Sequence, residues 1–364
     1  MRLILVLVAL GIIAAGVGLW ANVAWDQSGP QAPSGNETVI LVPPHTRAHA
    51  TAEELERRGV VKNALVFEFD LRIRGLADKI KAGEYAFPSN ASMQQVATIL
   101  VEGRSIQHKL TAAEGLTSEM IWKLVKADAV LTGDAGPAPR EGTLLPETYL
   151  FTRGETRAHL LANMARAHDA FVAEKWEGRA SGLPLASQRE AIILASIVEK
   201  ETALPRERRH IASIFVNRLR IGMRLQTDPT IIYDLTKGYP LGRGIRASEL
   251  AAATPYNTYV IAGLPPGPIC NPGKDSIAAV LNPETGDDLY FVATGHGGHA
   301  FAATMAEQER NVAAYRAFER QQQSSPDSQQ VVPNERVENA PVLVPDAATP
   351  KLPAIHKKRA RHHR

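Results

Sequence analysis

Hydrophobic positions along the chain begin with one long uncharged run and then break into short periodic segments. Residues 3–20 carry no charge, and residues 21–25 add a few weakly polar or apolar side chains. About 20 helical residues span a bilayer, whereas the apolar core of a secretory signal is usually about 7–15 residues long. The run therefore favours a cytoplasmic stub and transmembrane anchor over residues 1–25, with a cleaved signal or a buried core helix as alternatives. The position of Arg2 then places the remainder outside the cytoplasmic membrane.

The next part of the chain alternates short strands with capped helices. Residues 26–37 are rich in Gly, Pro, Ser and Gln, which is typical of a flexible linker. Residues 38–105 form a small α+β unit. Its predicted elements are a strand at 38–42, a helix from a capping box at Thr51 to Gly59, an apolar stretch at 64–71, a strand at 84–87, and a helix from a capping box at Ser92 to Gly103.

From residue 106 the pattern becomes mainly helical, so the fold class predicted for the whole chain is α+β. The predicted elements are a strand at 106–110, helices at 118–126, 157–175, 187–201 and 207–221, a β-hairpin of 289–293 with 299–302, and a helix from a capping box at Thr304 to about Phe318. Residues 321–364 contain a glutamine run, scattered prolines and a basic end. This composition predicts a disordered basic tail.

Composition narrows the function classes. The net charge is +3, and five of the basic residues lie in the last nine positions, so the predicted fold itself is near neutral. Nucleic-acid binding is therefore not expected. Cys270 is the single cysteine, which excludes an intramolecular disulfide and a cysteine-based zinc site. His296 and His299 lie in a glycine-rich turn without a third ligand nearby. A role as turn residues explains these two histidines better than metal binding does. Neither a metal nor a cofactor is predicted.

The apolar helix over residues 191–202 runs into two carboxylates, and helical spacing separates them. Glu201 lies three, four and seven residues after apolar side chains and continues their face, whereas Glu199 points about 200° away. Burial raises the pKa of a carboxyl group, which a glycosidase acid requires. The alternative is that Glu201 ends the helix in an ion pair with Arg206 or Arg208. Spacing alone does not decide between the two.

Several longer segments resemble the signatures of one family, the endolytic murein transglycosylases or YceG-like proteins. These segments are Ala195–Thr202, Val216–Thr230, Pro255–Tyr259, Gly263–Ile269, and Glu141-Gly142 with Leu145–Tyr149. The resemblance implies that the second Glu of Glu-Lys-Glu, here Glu201, is catalytic. It also implies a LysM-like module at 38–105 and a YceG-like catalytic domain at 106–320. Thr143 and Thr254 depart from the residues that many members carry.

The chemistry implied by the resemblance needs only one carboxylate. A lytic transglycosylase cleaves the bond between N-acetylmuramic acid (MurNAc) and N-acetylglucosamine (GlcNAc). Its acid protonates the leaving oxygen and then, as an anion, removes the proton from the MurNAc C6 hydroxyl. That hydroxyl closes a 1,6-anhydro ring, so no water is consumed. A glycoside hydrolase would instead use two carboxylates.

Further side chains in the motifs are candidates for glycan binding: Asn217, Gln226, Tyr256, Asn257 and Glu147. Amides hydrogen-bond sugar substituents and aromatic rings stack on sugar faces, although each residue also has an ordinary structural interpretation. Glu147 has the sequence context of a loop-to-helix turn. Asp228, followed by proline, is interpreted as a helix N-cap with Pro229 at the first helical position.

Two alternatives remain at this point. The chain could be a peptidoglycan hydrolase that pairs Glu201 with Asp228 or Glu147, or a wall-binding scaffold without activity. The expected partners are peptidoglycan glycan strands and the cytoplasmic membrane. The family's activity is associated with ending nascent strands, so the resemblance also implies peptidoglycan synthases, a partner that the sequence itself does not indicate.

Overall fold

The structure is a computed structural model that describes residues 22–33 and 35–324, together with Gly16 and Trp20. Within this part of the chain no helix has the length and apolar character needed to cross a membrane. The predicted anchor at 1–25 lies almost entirely outside the described residues. The predicted tail is described only as far as residue 324, and residues 321–324 lie in the last helix.

The described residues form two compact units. The first comprises the residues up to Leu110, together with Asp128–Asp134 and Thr148–Leu160. The second comprises Thr111–Ala127, Ala135–Glu147 and the residues from Leu161 onward. The division into a LysM-like module at 38–105 and a catalytic domain at 106–320 stays a prediction.

The first unit is an antiparallel strand pair covered by helices. Strands β1 and β2 pair from Glu37 opposite Pro88 to Val42 opposite Gly83, and aromatic and aliphatic side chains fill the core beneath them. The elements are β1 (Glu37–Val42), α1 (Ala48–Arg57), α2 (Ala64–Ile73), a 3₁₀ turn (Ala77–Lys79), β2 (Gly83–Pro88), α3 (Met93–Glu102), β3 (His108–Thr111) and β4 (Thr148–Phe151), which pairs with β3.

One of the two predicted capping boxes in this unit is confirmed and the other is wrong. The Ser92 hydroxyl accepts from the Gln95 amide, the Gln95 side chain accepts from the Ser92 amide, and α3 ends at Gly103 in the left-handed conformation. Helix α1 begins earlier than predicted, at Ala48. Thr51 therefore lies inside it and donates to the Arg47 carbonyl at 3.2 Å. The helical period continues upstream of Thr51 and overrides the local signal.

The segment predicted as a flexible linker, 26–37, packs against the first unit where it is described. Just before it, Trp25 is buried and stacks on Phe67 with 6.3 Å between ring centroids. The Gly29 amide then donates to the Asn90 carbonyl at 3.2 Å. The Ala32 amide donates to the Ser89 hydroxyl at 3.0 Å. The backbone amides of this segment thus donate hydrogen bonds to the loop before α3, a contact that composition alone could not indicate.

The second unit is built around one buried helix, α6. Residues 191–198 are all buried, since α7 and α10 pack against it. Burial therefore extends beyond the apolar face expected from the periodicity and includes all sides of the helix over residues 191–198. The elements are α4 (Ser118–Ala127), α5 (Arg157–Glu177, the first residues of which belong to the first unit), α6 (Gln188–Glu201), α7 (Pro205–Arg220), α8 (Asp228–Thr236), α9 (Ala247–Leu250), α10 (Lys274–Leu281), β5 (Tyr290–Ala293), β6 (His299–Ala302) and α11 (Met305–Ser324).

The hairpin and the last helix agree with the sequence pattern. Strands β5 and β6 pair antiparallel, with Phe291 opposite Phe301. The Thr304 hydroxyl accepts from the Glu307 amide at 3.3 Å, and the Glu307 carboxylate accepts from the Thr304 amide at 3.1 Å, so the predicted capping box opens α11. Helix α7 starts two residues before the predicted position, with Pro205 in its first turn.

Candidate active site

Glu201 is the last residue of α6, because Thr202 turns the backbone into an extended conformation. The residue is half-buried. Its carboxylate oxygen Oε1 accepts a short hydrogen bond from the Thr227 hydroxyl. A carboxyl group is thus held at the end of a helix whose central residues, 191–198, are all buried, and its second oxygen, Oε2, is not engaged by that bond.

Burial raises the pKa of Glu201 to about 7, from an ordinary value of 4.5. Loss of water around the carboxyl group is the largest cause. The hydrogen bond from Thr227 lowers the pKa, the nearby negative charge of Asp228 raises it, and the positive charge of Arg218 lowers it. At neutral pH the group is therefore divided between acid and anion, which suits a residue that must both give and take a proton.

Thr227 is positioned by a small group of buried threonines. Its backbone amide donates to the Thr258 hydroxyl at 3.0 Å, and its carbonyl accepts from the Thr230 hydroxyl at 2.7 Å. The Thr230 and Thr258 hydroxyls lie 3.0 Å apart. These bonds fix the backbone of Thr227 and do not use its hydroxyl, which donates to Glu201.

Gln226, directly before Thr227, adopts a left-handed backbone conformation with φ of 47°. This region is costly for a residue with a Cβ atom and is often found at functional sites. The backbone amide of Gln226 donates to the Thr258 carbonyl at 3.1 Å, which stabilises the turn. The strained turn brings Thr227 back toward the end of α6.

Arg218 supplies the positive charge near Glu201. It is buried on α7, and its guanidinium donates to the Leu289 carbonyl at 2.7 Å and the Leu225 carbonyl at 2.5 Å. Burial lowers the pKa of Arg218 to about 10, and the charge of Glu201 opposes that shift. Arg218 therefore stays protonated at neutral pH and partly stabilises the Glu201 anion.

Asp228 is hydrogen-bonded to a buried tyrosine. The Tyr259 hydroxyl donates to its carboxylate at 2.5 Å, and Tyr259 is buried beside it. Burial, and then the charge of Asp228, raise the pKa of Tyr259 well above its usual range. The N-cap assigned to Asp228 is wrong by one residue: Thr227 occupies the N-cap position of α8, and Asp228 lies in the first turn with Pro229.

The other carboxylate of the Glu-Lys-Glu run has a different environment. Glu199 accepts from the Gly273 amide at 2.9 Å and the Ser276 hydroxyl at 2.7 Å, so it caps the start of α10. The two arginines considered as ion-pair partners of Glu201 have other partners. Arg208 pairs with Asp275 at 3.1 Å, and Arg206 donates to the Gly297 carbonyl at 3.4 Å.

Both asparagines predicted to bind glycan donate side-chain hydrogen bonds to backbone carbonyl groups in this structure. The Asn217 side-chain amide donates to the Gly286 and Asp288 carbonyls at 2.8 and 3.1 Å. Asn257 is buried, and its side chain donates to three carbonyls of residues 249–252. These contacts agree with the ordinary structural role that the sequence analysis gave as the alternative to glycan binding.

The remaining candidates have more accessible side chains. Tyr256 is half-buried and its ring lies 5.0 Å from that of Tyr233. Glu147 forms an ion pair with Lys274 at 2.5 Å, with both side chains partly exposed. The turn predicted at Glu147 leads into strand β4 and not into a helix, so that expectation is wrong.

The two histidines of the hairpin make separate contacts. His299 lies 2.8 Å from the Glu207 carboxylate, and His296 packs edge-on against Phe318. No group of three or more His, Cys, Asp or Glu side chains suited to a metal occurs among residues 22–33 and 35–324.

The sequence interpretation missed Thr227, Arg218 and Tyr259 as neighbours of the acid. All three lie inside motifs used for the family resemblance, and Arg218 follows the mostly apolar run Ile211–Val216 of helix α7. A buried cation in such a helix needs partners, which is a signal that sequence could have supplied. The hydroxyl contact of Thr227 depends on the turn at Gln226 and has no periodic signal.

Comparison with known proteins assigns the family. Residues 40–314 match the model of the YceG-like family. The chain is therefore a member of the YceG-like family, in agreement with the resemblance of its motifs.

Curated relatives carry a common name. A Bacillus subtilis (strain 168) protein named endolytic murein transglycosylase is 28% identical over an alignment of 303 positions, which covers 74% of this chain and 82% of that protein. A Streptococcus pneumoniae serotype 2 protein of the same name is 29% identical over 359 residues; the match covers 85% of this chain and 64% of the relative's length. A solved YceG-like protein from Listeria monocytogenes is 28% identical, covers 76% of this chain and 98% of its own, and superposes with a TM-score of 0.47.

Proposed function

We propose that this chain is an endolytic lytic transglycosylase that cleaves the MurNAc–GlcNAc bond of peptidoglycan strands and leaves a 1,6-anhydroMurNAc end. The observation that carries the proposal is the environment of Glu201, a carboxyl group on a rigid helix with its pKa raised to about 7. The shared name of the curated relatives supports the substrate and the reaction.

Glu201 acts first as the acid. In its protonated form it donates to the glycosidic oxygen, and the Thr227 hydroxyl and the Arg218 charge stabilise the anion that results. The anion then accepts the proton of the MurNAc C6 hydroxyl as this oxygen attacks the anomeric carbon. The proton returns Glu201 to its starting form, so one group completes the cycle and no water is added.

The hydrogen bonds and ion pairs of the other candidate carboxylates favour this reaction over hydrolysis. A hydrolase needs a second carboxylate to activate water or form a covalent intermediate. Asp228 is bonded to Tyr259, Glu147 to Lys274, and Glu199 to the start of α10. The negative charge of Asp228 instead favours the protonated form of Glu201.

The proposal includes a location and a partner. The uncharged run at residues 3–20 supports a single-pass anchor in the cytoplasmic membrane, with the catalytic domain on its outer side. There the enzyme would cut nascent strands beside the peptidoglycan synthases. Gln226, with its strained backbone, and the half-buried Tyr256 are the sugar contacts we favour from the predicted set.

The test combines Glu201→Gln with an isotope measurement. The variant should stay folded and lose strand cutting, whereas the matched variant Glu199→Gln should retain the reaction. Purified strands are digested in ¹⁸O-labelled water and the fragments are weighed. Anhydro ends without added oxygen are expected from the wild-type protein. Fragments that gain one labelled water would establish a hydrolase, and full cutting by Glu201→Gln would remove this residue from the mechanism.

A further inference from the structure

Helix α2 of the first unit carries an apolar stripe that faces solvent. Its buried side holds Phe67 and Leu71, yet Leu65, Phe69 and Ile73 are 67%, 48% and 65% exposed. These three residues are spaced by four, so they lie along one side of the helix. Scattered apolar residues are normal on a surface, but a row along one helix indicates a contact surface.

The chain just after the uncharged run packs against the same helix, α2. Residues 22–26 are helical. The Arg74 guanidinium, at the end of α2, donates to the Asn22 side chain at 2.7 Å and lies 4.4 Å from the Trp25 ring centre. Trp25 in turn stacks on Phe67 of α2. Helix α2 is therefore attached to the residues that follow position 20.

The surroundings of the stripe also suit a membrane surface. Trp20 and Val23 are exposed and line a groove with Val66 of α2, next to the stripe. Lys62 is an exposed cation on the same groove. Exposed tryptophan and apolar side chains edged by cations are the composition of a helix that lies in a lipid headgroup layer.

We propose that the Leu65–Phe69–Ile73 stripe of α2 docks onto the outer surface of the bilayer that holds the anchor. The inference rests on the proposed membrane anchoring. The occupant is lipid, because the contacts of Asn22 and Trp25 hold α2, and with it the stripe, close to the point where the uncharged run ends. Such helices bury their apolar side about 5–10 Å into the boundary between headgroups and acyl chains. Docking would fix the first unit against the membrane.

Site-directed spin labelling of the full-length protein in vesicles of phosphatidylethanolamine and phosphatidylglycerol tests this. The native Cys270 is buried, so the label attaches to an introduced cysteine. Phe69→Cys and Ile73→Cys place it on the stripe. Gln94→Cys places it on an exposed position of α3 as the matched control. We expect labels at 69 and 73 to be several-fold more accessible to oxygen than to a water-soluble nickel complex, and the reverse at 94.

Other outcomes overturn the docking in distinguishable ways. Equal nickel accessibility at 69, 73 and 94 in vesicle-bound protein refutes docking and leaves the anchor intact. Dipolar broadening between labels at 69 shows that a second copy covers the stripe. Failure of the protein to float with the vesicles refutes anchor and docking together. Release of anhydro ends, measured on the same samples, reports the proposed activity separately. Thermal unfolding identical to the unlabelled protein verifies that each variant is folded.

Discussion

The hydrogen bond from Thr227 to Glu201 gives the most direct test of how the acid is tuned. Thr227→Val keeps the shape of the side chain and removes the hydroxyl donor. The donor stabilises the ionised form of Glu201, so its loss should raise the pKa of Glu201 further above 7. The protonated form should then persist to higher pH.

The size of the shift follows from the strength of such a bond. A hydrogen bond to a charged group contributes about 1.5–3 kcal/mol, and one pKa unit corresponds to about 1.4 kcal/mol. If the bond favours only the anion, the pKa should rise by about 1–2 units. Because kcat/KM requires the protonated acid in the free enzyme, its fall on the alkaline side should move upward by the same amount. The maximal rate should drop, since the anion formed in the first step loses its partner.

The assay is the release of anhydro ends as a function of pH, together with a ¹³C NMR titration of the Glu201 carboxyl. Thr236→Val is the matched control, because the Thr236 hydroxyl bonds to carbonyls at the far end of the same helix. An alkaline limb that stays in place or moves to lower pH in Thr227→Val would refute the assigned role of this hydroxyl. A matching shift in Thr236→Val would trace the effect to α8 as a whole.

Three further predictions concern the carboxylates. Glu201→Gln should stabilise the protein above pH 7 by up to roughly 3 kcal/mol, because the wild-type carboxyl group, with a folded pKa of about 7, makes the fold lose stability as the pH rises from 4.5 to 7. Urea unfolding at pH 8 and at pH 4 should show this gain only at pH 8. Asp228→Asn removes the charge that raises the pKa of Glu201, so the alkaline limb of kcat/KM should move to lower pH; an upward move would contradict this. Glu199→Gln should lower the unfolding free energy by about 1–2 kcal/mol with little change in the pH profile; a shifted profile would assign it to the active site.

Much of the fold was predictable because it depends on local signals. The capping boxes at Ser92 and Thr304 give helix starts that the structure retains. The hairpin follows from alternation around a glycine-rich turn. The errors arise where distant contacts decide the outcome. Thr51 has a cap signature inside a longer helix, and the polar stretch after Trp25 orders because residues 89 and 90 bind it.

The candidate site divides in the same way. Helical spacing and the motif both selected Glu201, and its raised pKa agrees with burial at the end of α6. The spacing argument also separated Glu199, but it could not show that this residue caps α10 through the Gly273 amide, 74 residues further along the chain. The proximity of Arg218 depends on how α7 packs on α6, and that of Thr227 on the turn at Gln226. Neither is encoded in a local period.

The two carbonyl groups held by Arg218 have a consequence for how this part of the sequence can vary. The guanidinium beside the acid is anchored by main-chain oxygens at positions 225 and 289. A main-chain acceptor is supplied by every residue type, so many apolar side chains at 289 would serve, whereas an insertion that displaces its carbonyl would not. The entry to the hairpin should thus tolerate exchange of residues and resist changes of length. A library that varies loop length on either side of position 289 should therefore lose activity more sharply than one that varies residue identity there.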